Sequence, residues 1–412
     1  MKVPSRWVLH CINCGNRLDN DPRSFTCPKC GDILELLAPP LTKKELVSGS
    51  DRLSVWRYQK ALPIADSGAV VSMGEGGTPL VPSKHSGKQR GMKRLSFKVE
   101  GQNPTGSFKD RGMTVAVSRA RLMKARVLVC ASTGNTAASL AAYAARGGMD
   151  SGVIMPSGKV AAGKLMQAIA HGSRLVQIED GFDRALKILS ETVAKAEDLY
   201  LVNSINPYRI EGQKTVAFEI FEQLGDVPDY LVLPVGNAGN ISAVWKGFKE
   251  LREWGVIDRT PRLIGVQAEG ASPLAEAYEK SGGRIRPWKQ PETIATAIRI
   301  GNPVSWKKAL NAVNESSGRI LAVSDEEILA GRKELATKEG IFVENASATP
   351  VAGLGAIQAE VKGDDTVVTV LTGHGLKDSL PREWKKERPR SVSTVKELAE
   401  VLLGRQAPNW RN

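Results

Sequence analysis

The most constraining feature of this sequence is an alternation of short apolar runs with helical patterns, from about residue 95 to residue 371. Short apolar runs bounded by turn residues are typical of strands that are buried on both faces of a parallel sheet. The helical segments supply the crossovers that parallel strands require. The alternation predicts an α/β fold of open parallel sheets, with ligands beyond the carboxyl ends of the strands. The predicted strands are residues 95–99, 127–130, 152–155, 175–178, 199–202, 230–235, 263–267 and 366–371, and the predicted helices include 109–125, 135–146, 182–196, 212–224, 241–254, 325–339 and a last one from 394 that ends at Gly404.

Four of the five cysteines form a compact pattern near the N-terminus, Cys11-x2-Cys14-x12-Cys27-x2-Cys30, with a glycine after each pair. Two such knuckles place four thiolates around one zinc ion, and this spacing is a strong zinc-ribbon signal. Two disulfides are the alternative, which a reducing compartment disfavours. We predict a structural zinc ribbon over residues 1–38, and the pattern leaves open whether it also docks a partner. The fifth cysteine, Cys130, ends an apolar run and is predicted to be a buried strand residue.

The composition narrows the class of partner. The chain has 412 residues and a formal net charge of +13, with 42% hydrophobic and 25% charged residues, as in ordinary globular proteins. Its basic residues are scattered apart from two concentrations, at 84–94 and 382–390. No apolar run is long enough to span a membrane, and the N-terminus lacks a secretion signal. We therefore expect a cytoplasmic protein with a small anionic substrate and no nucleic-acid or membrane partner.

A lysine stands where one predicted strand leads into a helix. After residues 95–99, Pro104 and Gly106 favour a turn, and Ser107 is a plausible N-cap, which places Lys109 in the first helical turn. A cation is disfavoured at the positive end of a helix dipole, and deprotonation removes that conflict. A neutral lysine amine can form an imine with a carbonyl group. An ordinary surface lysine is the alternative on this evidence alone.

Three further loops follow predicted strands. The loop 131–136, Ala-Ser-Thr-Gly-Asn-Thr, offers hydroxyl and N–H groups at a helix start, which suits a carboxylate. The loop 236–240, Gly-Asn-Ala-Gly-Asn, suits a phosphate and matches neither the P-loop nor the dinucleotide fingerprint. The loop 371–375, Leu-Thr-Gly-His-Gly, offers a neutral hydroxyl. A helix start without a ligand is the alternative for each loop alone, but together they predict one cleft.

The residues around Lys109 also resemble a known family. The segment 103–113, Asn-Pro-Thr-Gly-Ser-Phe-Lys-Asp-Arg-Gly-Met, resembles the Schiff-base lysine segment of the threonine synthases, which are fold type II pyridoxal-phosphate enzymes. The resemblance extends from Gly-Gly-Thr-Pro at 76–79 to Leu-Lys-Asp at 376–378. It includes Ser-Thr-Gly-Asn-Thr at 132–136, Asn-Ser-Ile-Asn-Pro-Tyr-Arg at 203–209, the loop at 234–240, Arg-Ile-Gly-Asn-Pro at 299–303 and Thr-Gly-His-Gly-Leu-Lys-Asp at 372–378.

The resemblance implies a fold type II enzyme with two open parallel-sheet domains, an active site between them and pyridoxal 5'-phosphate as cofactor. It makes Lys109 the catalytic residue, bound to the cofactor as a Schiff base. The implied cofactor-binding residues are Lys109, Asn135 at the phenolic oxygen, Gly236, Asn237, Ala238, Gly239 and Asn240 at the phosphate, and Thr372 at the pyridine nitrogen. The implied substrate-binding residues are Ser132, Thr133 and Thr136 at the carboxylate, and Asn203, Ser204 and Arg209, with Asn237, at the substrate phosphate.

The implied reaction converts O-phospho-L-homoserine and water to L-threonine and phosphate. Two alternatives stay open: another fold type II lyase, such as a threonine dehydratase or a β-replacement synthase, and a non-enzymatic zinc-ribbon adaptor that binds nucleic acid. Where relatives tend to have Glu-Pro, this chain has Glu344-Asn, which makes any role of Glu344 near the cofactor less secure.

The expected organisation is a ribbon at 1–38, a catalytic body at 39–403 with a smaller subdomain at about 112–212, and a tail at 404–412. A homodimer is the expected assembly.

Overall fold

The computed structural model describes residues 6–19, 21, 23–47, 51–156, 162–179, 182–280, 282–379 and 391–403. They fall into two compact units, Met1–Lys377 and Asp378–Asn412. The predicted tail 404–412, the predicted helix stop at Gly404 and the basic segment 382–390 lie outside the described residues. Among the described residues, no helix is both long enough and apolar enough to cross a membrane.

The strands of the first unit form three sheets with the orders β2-β1-β3, β12-β11-β10-β13-β5-β4 and β8-β7-β6-β9. All pairings in the four-stranded sheet are parallel, and in the six-stranded sheet only the edge strand β4 is antiparallel. The predicted α/β architecture with two open parallel sheets is therefore confirmed. In chain order the strands are β1 (Val8–Cys11), β2 (Arg17–Leu18), β3 (Leu34–Leu37), β4 (Leu80–Pro82), β5 (Arg94–Val99), β6 (Val127–Ala131), β7 (Asp150–Pro156), β8 (Arg174–Ile178), β9 (Leu199–Leu201), β10 (Tyr230–Pro234), β11 (Arg262–Ala268), β12 (Arg319–Val323) and β13 (Thr366–Leu371).

The helices lie between the strands, as the alternation predicts. The predicted helix at 212–224 begins earlier, because the Asn206 side chain accepts the N–H of Tyr208 and Pro207 occupies the first helical position. In chain order the helices are α1 (Lys43–Leu46), α2 (Ser86–Arg90), α3 (Lys109–Leu122), α4 (Asn135–Gly147), α5 (Ala162–Ala170), α6 (Phe182–Lys195), α7 (Pro207–Leu224), α8 (Gly239–Glu253), α9 (Pro273–Lys280), α10 (Trp306–Glu315), α11 (Asp325–Glu334), α12 (Asn345–Ala352), α13 (Leu354–Ile357) and α14 (Val395–Leu403).

The six-stranded sheet is buried on both faces. Alternate residues of β10 belong to different hydrophobic clusters, because successive side chains of a strand point to opposite faces. Leu231 and Leu233 pack with residues of α7, α8 and α10, such as Phe248. Val232 packs with residues of α12, such as Val351. Burial on both faces explains why these strands are continuous apolar runs rather than alternating ones.

The edge of the four-stranded sheet differs from expectation. The run 175–178 does form a strand parallel to β7, but its residues are mostly exposed, with Leu175 at 39% and Val176 at 46%. The prediction of a buried strand there is wrong, because β8 is an edge strand and an apolar sequence does not show which strand is at the edge. The strand β12 was not predicted, although its apolar run at 320–323 carries the usual signal.

Candidate active site

The loops after β5 and β13 meet because these two strands are parallel neighbours, with Val99 opposite Leu371. The N–H of Phe108 donates to the carbonyl of Thr372 at 3.0 Å, and the N–H of His374 donates to the carbonyl of Gly106 at 2.9 Å. Two of the predicted loops are thus joined by backbone hydrogen bonds.

The helix start after β5 differs in one detail from the prediction. Phe108, not Ser107, occupies the N-cap position, and no side chain caps α3 there. The Ser107 hydroxyl is buried without a hydrogen-bond partner among the described residues. Lys109 is the first residue of α3, as predicted.

Lys109 has the electrostatic environment that an imine-forming lysine needs. Burial and, to a lesser degree, the nearby guanidinium of Arg209 lower the pKa of its amine to about 7, against the opposing effect of the Glu344 carboxylate. The amine lies 4.3 Å from the centre of the Phe108 ring. The amine can therefore lose its proton near neutral pH.

Two buried residues next to Lys109 hold its helix in place. Arg111 is bound by Glu100, with Nε to Oε2 at 2.6 Å, and by Glu219, with Nη2 to Oε2 at 2.7 Å. Asp110 accepts hydrogen bonds from the Thr105 hydroxyl and from its backbone N–H, at 2.6 and 2.7 Å. A first turn fixed on both sides leaves Lys109 little freedom to move its Cα. Sequence reasoning missed this support, because nothing local pairs Arg111 with a residue as distant as Glu219.

The loop after β6 lies beside Glu344. The amide nitrogen of Asn135 donates to the two carboxylate oxygens of Glu344 at 2.9 and 3.2 Å. Ser132, Thr133 and Thr136 are half-buried in the same loop. The backbone N–H groups of Thr133 and Thr136 donate to no acceptor in the part of the chain that the structure describes. The loop therefore offers donors at a helix N-terminus.

Glu344 adjoins the loop after β13 as well. Its backbone N–H donates to the carbonyl of Gly373 at 3.2 Å. Thr372 is buried, and its hydroxyl lies 2.9 Å from the hydroxyl of Ser347 on α12. The sequence left a role for Glu344 insecure, and it did not indicate Ser347. The signal available for both was their position at the start of an Ala-rich helix, since the sequence around them reads Glu-Asn-Ala-Ser-Ala.

The glycine loop turns sharply into α8. Ala238 has a left-handed backbone with φ of 63°, and it precedes the first helical residue, Gly239. A Cβ on Gly236 would lie 2.8 Å from the Cα of Ile298, so only glycine fits there. The N–H groups of residues 236–240 find no acceptor within the described ranges, and the buried Asn240 Oδ1 is also unpartnered there. Successive free N–H groups around a left-handed residue form an anion-binding concavity.

Asn237 connects the glycine loop to the end of β9. Its amide nitrogen donates to the Ser204 hydroxyl at 2.6 Å, and its amide oxygen accepts the N–H of Val304 at 2.7 Å. Asn203 bonds the backbone of Ala131 in both directions, at 2.9 and 3.0 Å. These amides tie the ends of β6 and β9 to the loop that precedes α8.

Arg209 is the most unusual group of the site. Its side chain is only 2% exposed, and a single nitrogen, Nη1, donates to a carbonyl, that of Val202 at 3.1 Å. Its Nε and Nη2 are buried without a partner among the described residues. Burial, slightly offset by Cys130, lowers the pKa of the guanidinium to about 10. Because buried donors are normally satisfied, these two nitrogens indicate a binding site for an anion.

The four N-terminal cysteines come together in the ribbon. Their sulfurs lie within 4.8 Å of one another, with Cys11 and Cys30 3.4 Å apart and Cys14 and Cys27 3.7 Å apart. Tetrahedral Zn–S bonds of about 2.3 Å place sulfurs about 3.8 Å apart. All five cysteines are free thiols, so the alternative of two disulfides is wrong. Cys130 is buried in β6, as predicted.

Comparisons with known proteins agree with this geometry. Residues 71–373 match the family model of pyridoxal-phosphate dependent enzymes. The chain is 52% identical over 403 residues to a threonine synthase of Methanocaldococcus jannaschii, a match that covers 96% of this chain and 99% of that protein. It is 51% identical over 340 residues to a threonine synthase of Mycobacterium bovis, with 82% of this chain and 91% of that protein covered.

Solved structures share the fold. A threonine deaminase of T.th. matches with a TM-score of 0.61 and 26% identity over 74% of this chain and 94% of that one. Maize serine racemase matches with a TM-score of 0.64 and 22% identity over 75% of this chain and 90% of that one, which is a likeness of fold alone.

Proposed function

Because the chain belongs to the threonine synthase family of pyridoxal-phosphate-dependent enzymes, we propose that it converts O-phospho-L-homoserine and water to L-threonine and phosphate. It is a pyridoxal-phosphate-dependent lyase.

The residues of the cleft fit pyridoxal phosphate. The unpartnered N–H groups of residues 236–240 form a cradle of the right chemistry for its phosphate. Lys109, with its lowered pKa, is the residue to bind its carbonyl carbon. Asn135 is assigned to the phenolic oxygen, and the buried hydroxyl of Thr372 to the ring nitrogen. A hydroxyl does not hold that nitrogen protonated as a carboxylate would, so the charge on the ring depends on its other neighbours.

When bound, the cofactor supplies an electron sink for the negative charge that develops on the substrate. We assign the proton transfers at Cα and then at Cβ to the amine of Lys109, whose pKa near 7 lets it accept and return protons at neutral pH. The hydroxyls of Ser132, Thr133 and Thr136, with the N–H groups of their loop, hold the substrate carboxylate.

The observation that carries the choice of substrate is the pair of unpartnered nitrogens on buried Arg209. A guanidinium with two free donors is suited to a phosphate, which it binds with two parallel charge-assisted hydrogen bonds. Asn203 and Ser204 directly follow Val202, whose carbonyl accepts the hydrogen bond of Arg209, and Asn237 donates to Ser204, so we assign all three to the same phosphate. As the phosphate leaves Cγ, the positive charge of Arg209 stabilises it. A dehydratase, whose substrate has no phosphate, has no use for this second anion site.

The test compares the wild type with Arg209→Met, both saturated with cofactor and matched by absorbance at ~410–430 nm, where the lysine-bound cofactor absorbs. Two charge-assisted hydrogen bonds are worth roughly 3–6 kcal/mol, so kcat/KM for phosphate release should fall by on the order of 10²–10⁴. The wild type should release L-threonine and phosphate in equal amounts. Release of 2-oxobutanoate from threonine without phosphate release from O-phosphohomoserine would favour a dehydratase instead.

We also propose that Cys11, Cys14, Cys27 and Cys30 bind one structural zinc ion. The sulfur separations support this, and metal analysis of the purified protein, with one zinc per chain expected, tests it. We propose a cytoplasmic location as well. A homodimer is the proposed assembly. Light scattering of the holoenzyme should give twice the 44.4 kDa mass of the chain.

A further inference from the structure

The described part of the N-terminal ribbon, residues 6–19, 21 and 23–38, packs on the body through hydrophobic and ionic contacts. Its side chains Leu9 and Leu36 belong to the same hydrophobic cluster as the four-stranded sheet. Phe25 packs edge-on against Tyr200 of β9, with ring centres 5.8 Å apart. The chain that follows Tyr200 carries Asn203 and Ser204, so this contact supports the segment that holds two residues of the anion site.

A second contact reaches the start of α7. The amine of Lys246 on α8 donates to the carbonyl of Leu36 in the ribbon. The same amine pairs with Glu211 and with Glu250, each at 3.2 Å. Lys214 bridges the same two carboxylates at 2.6 Å each. Glu211 follows Arg209 by two residues in α7, so a buried ionic cluster joins the ribbon to the helix turn that carries Arg209.

A third contact joins the ribbon to the start of α10. Lys307 pairs with Asp32 and donates to the Asn13 side chain at 2.9 Å. Lys308 pairs with Glu35 at 3.2 Å. Helix α10 begins directly after Ser305, whose N–H donates to the carbonyl of Asn237 at 3.3 Å. The third contact therefore supports the loop that fixes Asn237.

From these three contacts we infer that the ribbon is a positioning element for the second anion site. Its contacts reach the segments that carry or fix Ser204, Arg209 and Asn237, each through a different secondary-structure element. A module that only docks a partner needs no such links to the cleft. The inference rests on the proposed function, because it assigns the ribbon a part in binding the substrate phosphate.

The metal makes this role testable. A ribbon of this size has too small a core to fold alone, so loss of its metal releases the ribbon contacts. The hydrogen bonds that hold Arg111 beside Lys109 come instead from Glu100 and Glu219 in the body. Release of the ribbon should therefore weaken phosphate binding at Arg209 and leave the attachment of cofactor to Lys109 intact.

The experiment uses the cofactor-loaded, zinc-loaded full chain and the variant Lys307→Ala, which breaks the contact of α10 with Asp32 and Asn13 and leaves all four cysteines in place. The matched control is Lys249→Ala, because Lys249 pairs with Glu315 at 3.0 Å and so links α8 to α10 on the exposed surface, away from the ribbon. A third sample is wild type stripped of zinc by a chelator. The measured quantities are zinc content, cofactor absorbance, the Kd for inorganic phosphate from protection against urea unfolding, and KM for O-phosphohomoserine.

Loss of one charge-assisted hydrogen bond to the phosphate changes affinity by about tenfold. We expect Lys307→Ala and the zinc-stripped enzyme to raise both the phosphate Kd and KM severalfold, up to that size, with cofactor absorbance unchanged. Lys249→Ala should match the wild type.

Three results would overturn the inference: unchanged phosphate Kd in both perturbed samples, an equal effect in Lys249→Ala, or simultaneous loss of cofactor absorbance. If the wild type releases no phosphate from O-phosphohomoserine, the proposed function fails, and the phosphate Kd still decides on the ribbon.

Discussion

The buried charge of Arg209 should lower the free energy of unfolding as long as no anion is bound beside it. Its pKa of about 10 lies below the ordinary arginine value of about 12.5, and at about 1.4 kcal/mol per pKa unit the difference corresponds to about 3 kcal/mol. This is the cost of holding a buried, charged guanidinium that lacks an anion. Arg209→Met removes the cost and also removes the hydrogen bond to Val202, worth about 1.5–3 kcal/mol. The two effects nearly cancel, so without phosphate the variant should unfold within about 2 kcal/mol of the wild type.

Added phosphate should stabilise the wild type but not Arg209→Met. A ligand that binds only the folded state at 100 times its Kd stabilises it by about 2.7 kcal/mol. The cofactor-loaded wild type should gain this protection from inorganic phosphate, and Arg209→Met should gain none. The assay is urea unfolding followed by circular dichroism, with cofactor held constant and phosphate varied.

A second buried arginine serves as the control. Arg111 has its guanidinium fully engaged with Glu100 and Glu219, and both carboxylates are buried. Arg111→Met leaves them without that partner, which should cost about 3–5 kcal/mol with or without phosphate. A loss of that size in phosphate-free Arg209→Met, or continued protection of that variant by phosphate, would refute the account of the anion site.

Four further results are expected. In cofactor-free protein, an amine-reactive reagent should label Lys109 with a pH midpoint near 7, because the pKa of its amine is lowered to about 7. A midpoint at the ordinary lysine pKa would contradict this. Because that folded pKa lies below the unfolded one, the neutral amine also makes stability increase as pH rises above about 7. A chelator should expose the four N-terminal thiols to a thiol reagent. Cys130 should stay unreactive, because it is buried and burial raises the pKa of its thiol to about 12. A fifth reactive thiol in the folded protein would contradict this. Gly212→Ala should destabilise the protein by about 3 kcal/mol or more in urea unfolding, because the new Cβ would lie 1.8 Å from the carbonyl oxygen of Arg111. Gly355→Ala should be nearly neutral, because no atom lies within 4 Å of its new Cβ.

The fold was predictable where one short rule decided each element. Apolar runs identified the buried strands, and the helices predicted from 325 and from 394 begin at capping boxes, Ser324 with Glu327 and Thr394 with Glu397. The exposure of β8 was not predictable, because an edge strand and a central strand can have the same apolar sequence. The order of the strands was not predictable either, because it depends on packing between segments that are distant in the chain.

The site was predictable in position but not in its support. Strand-end loops indicated where Lys109 would lie, since parallel strands bring their carboxyl ends to one edge, and the family resemblance indicated Arg209. The contacts that tune these residues join segments far apart in the chain, such as Asn135 with Glu344. The two unpartnered nitrogens of Arg209 are a property of its burial, which a sequence motif does not contain.

The most direct test of the account is to find which lysine carries the cofactor. Borohydride reduction of the holoenzyme fixes the cofactor on its lysine, and peptide mapping by mass spectrometry then locates it. Lys98 and Lys377 are the informative competitors, because burial lowers the pKa of both amines as it does for Lys109. The account predicts the label on the peptide that contains Lys109 and on no other lysine. A label on Lys98, on Lys377 or on any other lysine in place of Lys109 would contradict it.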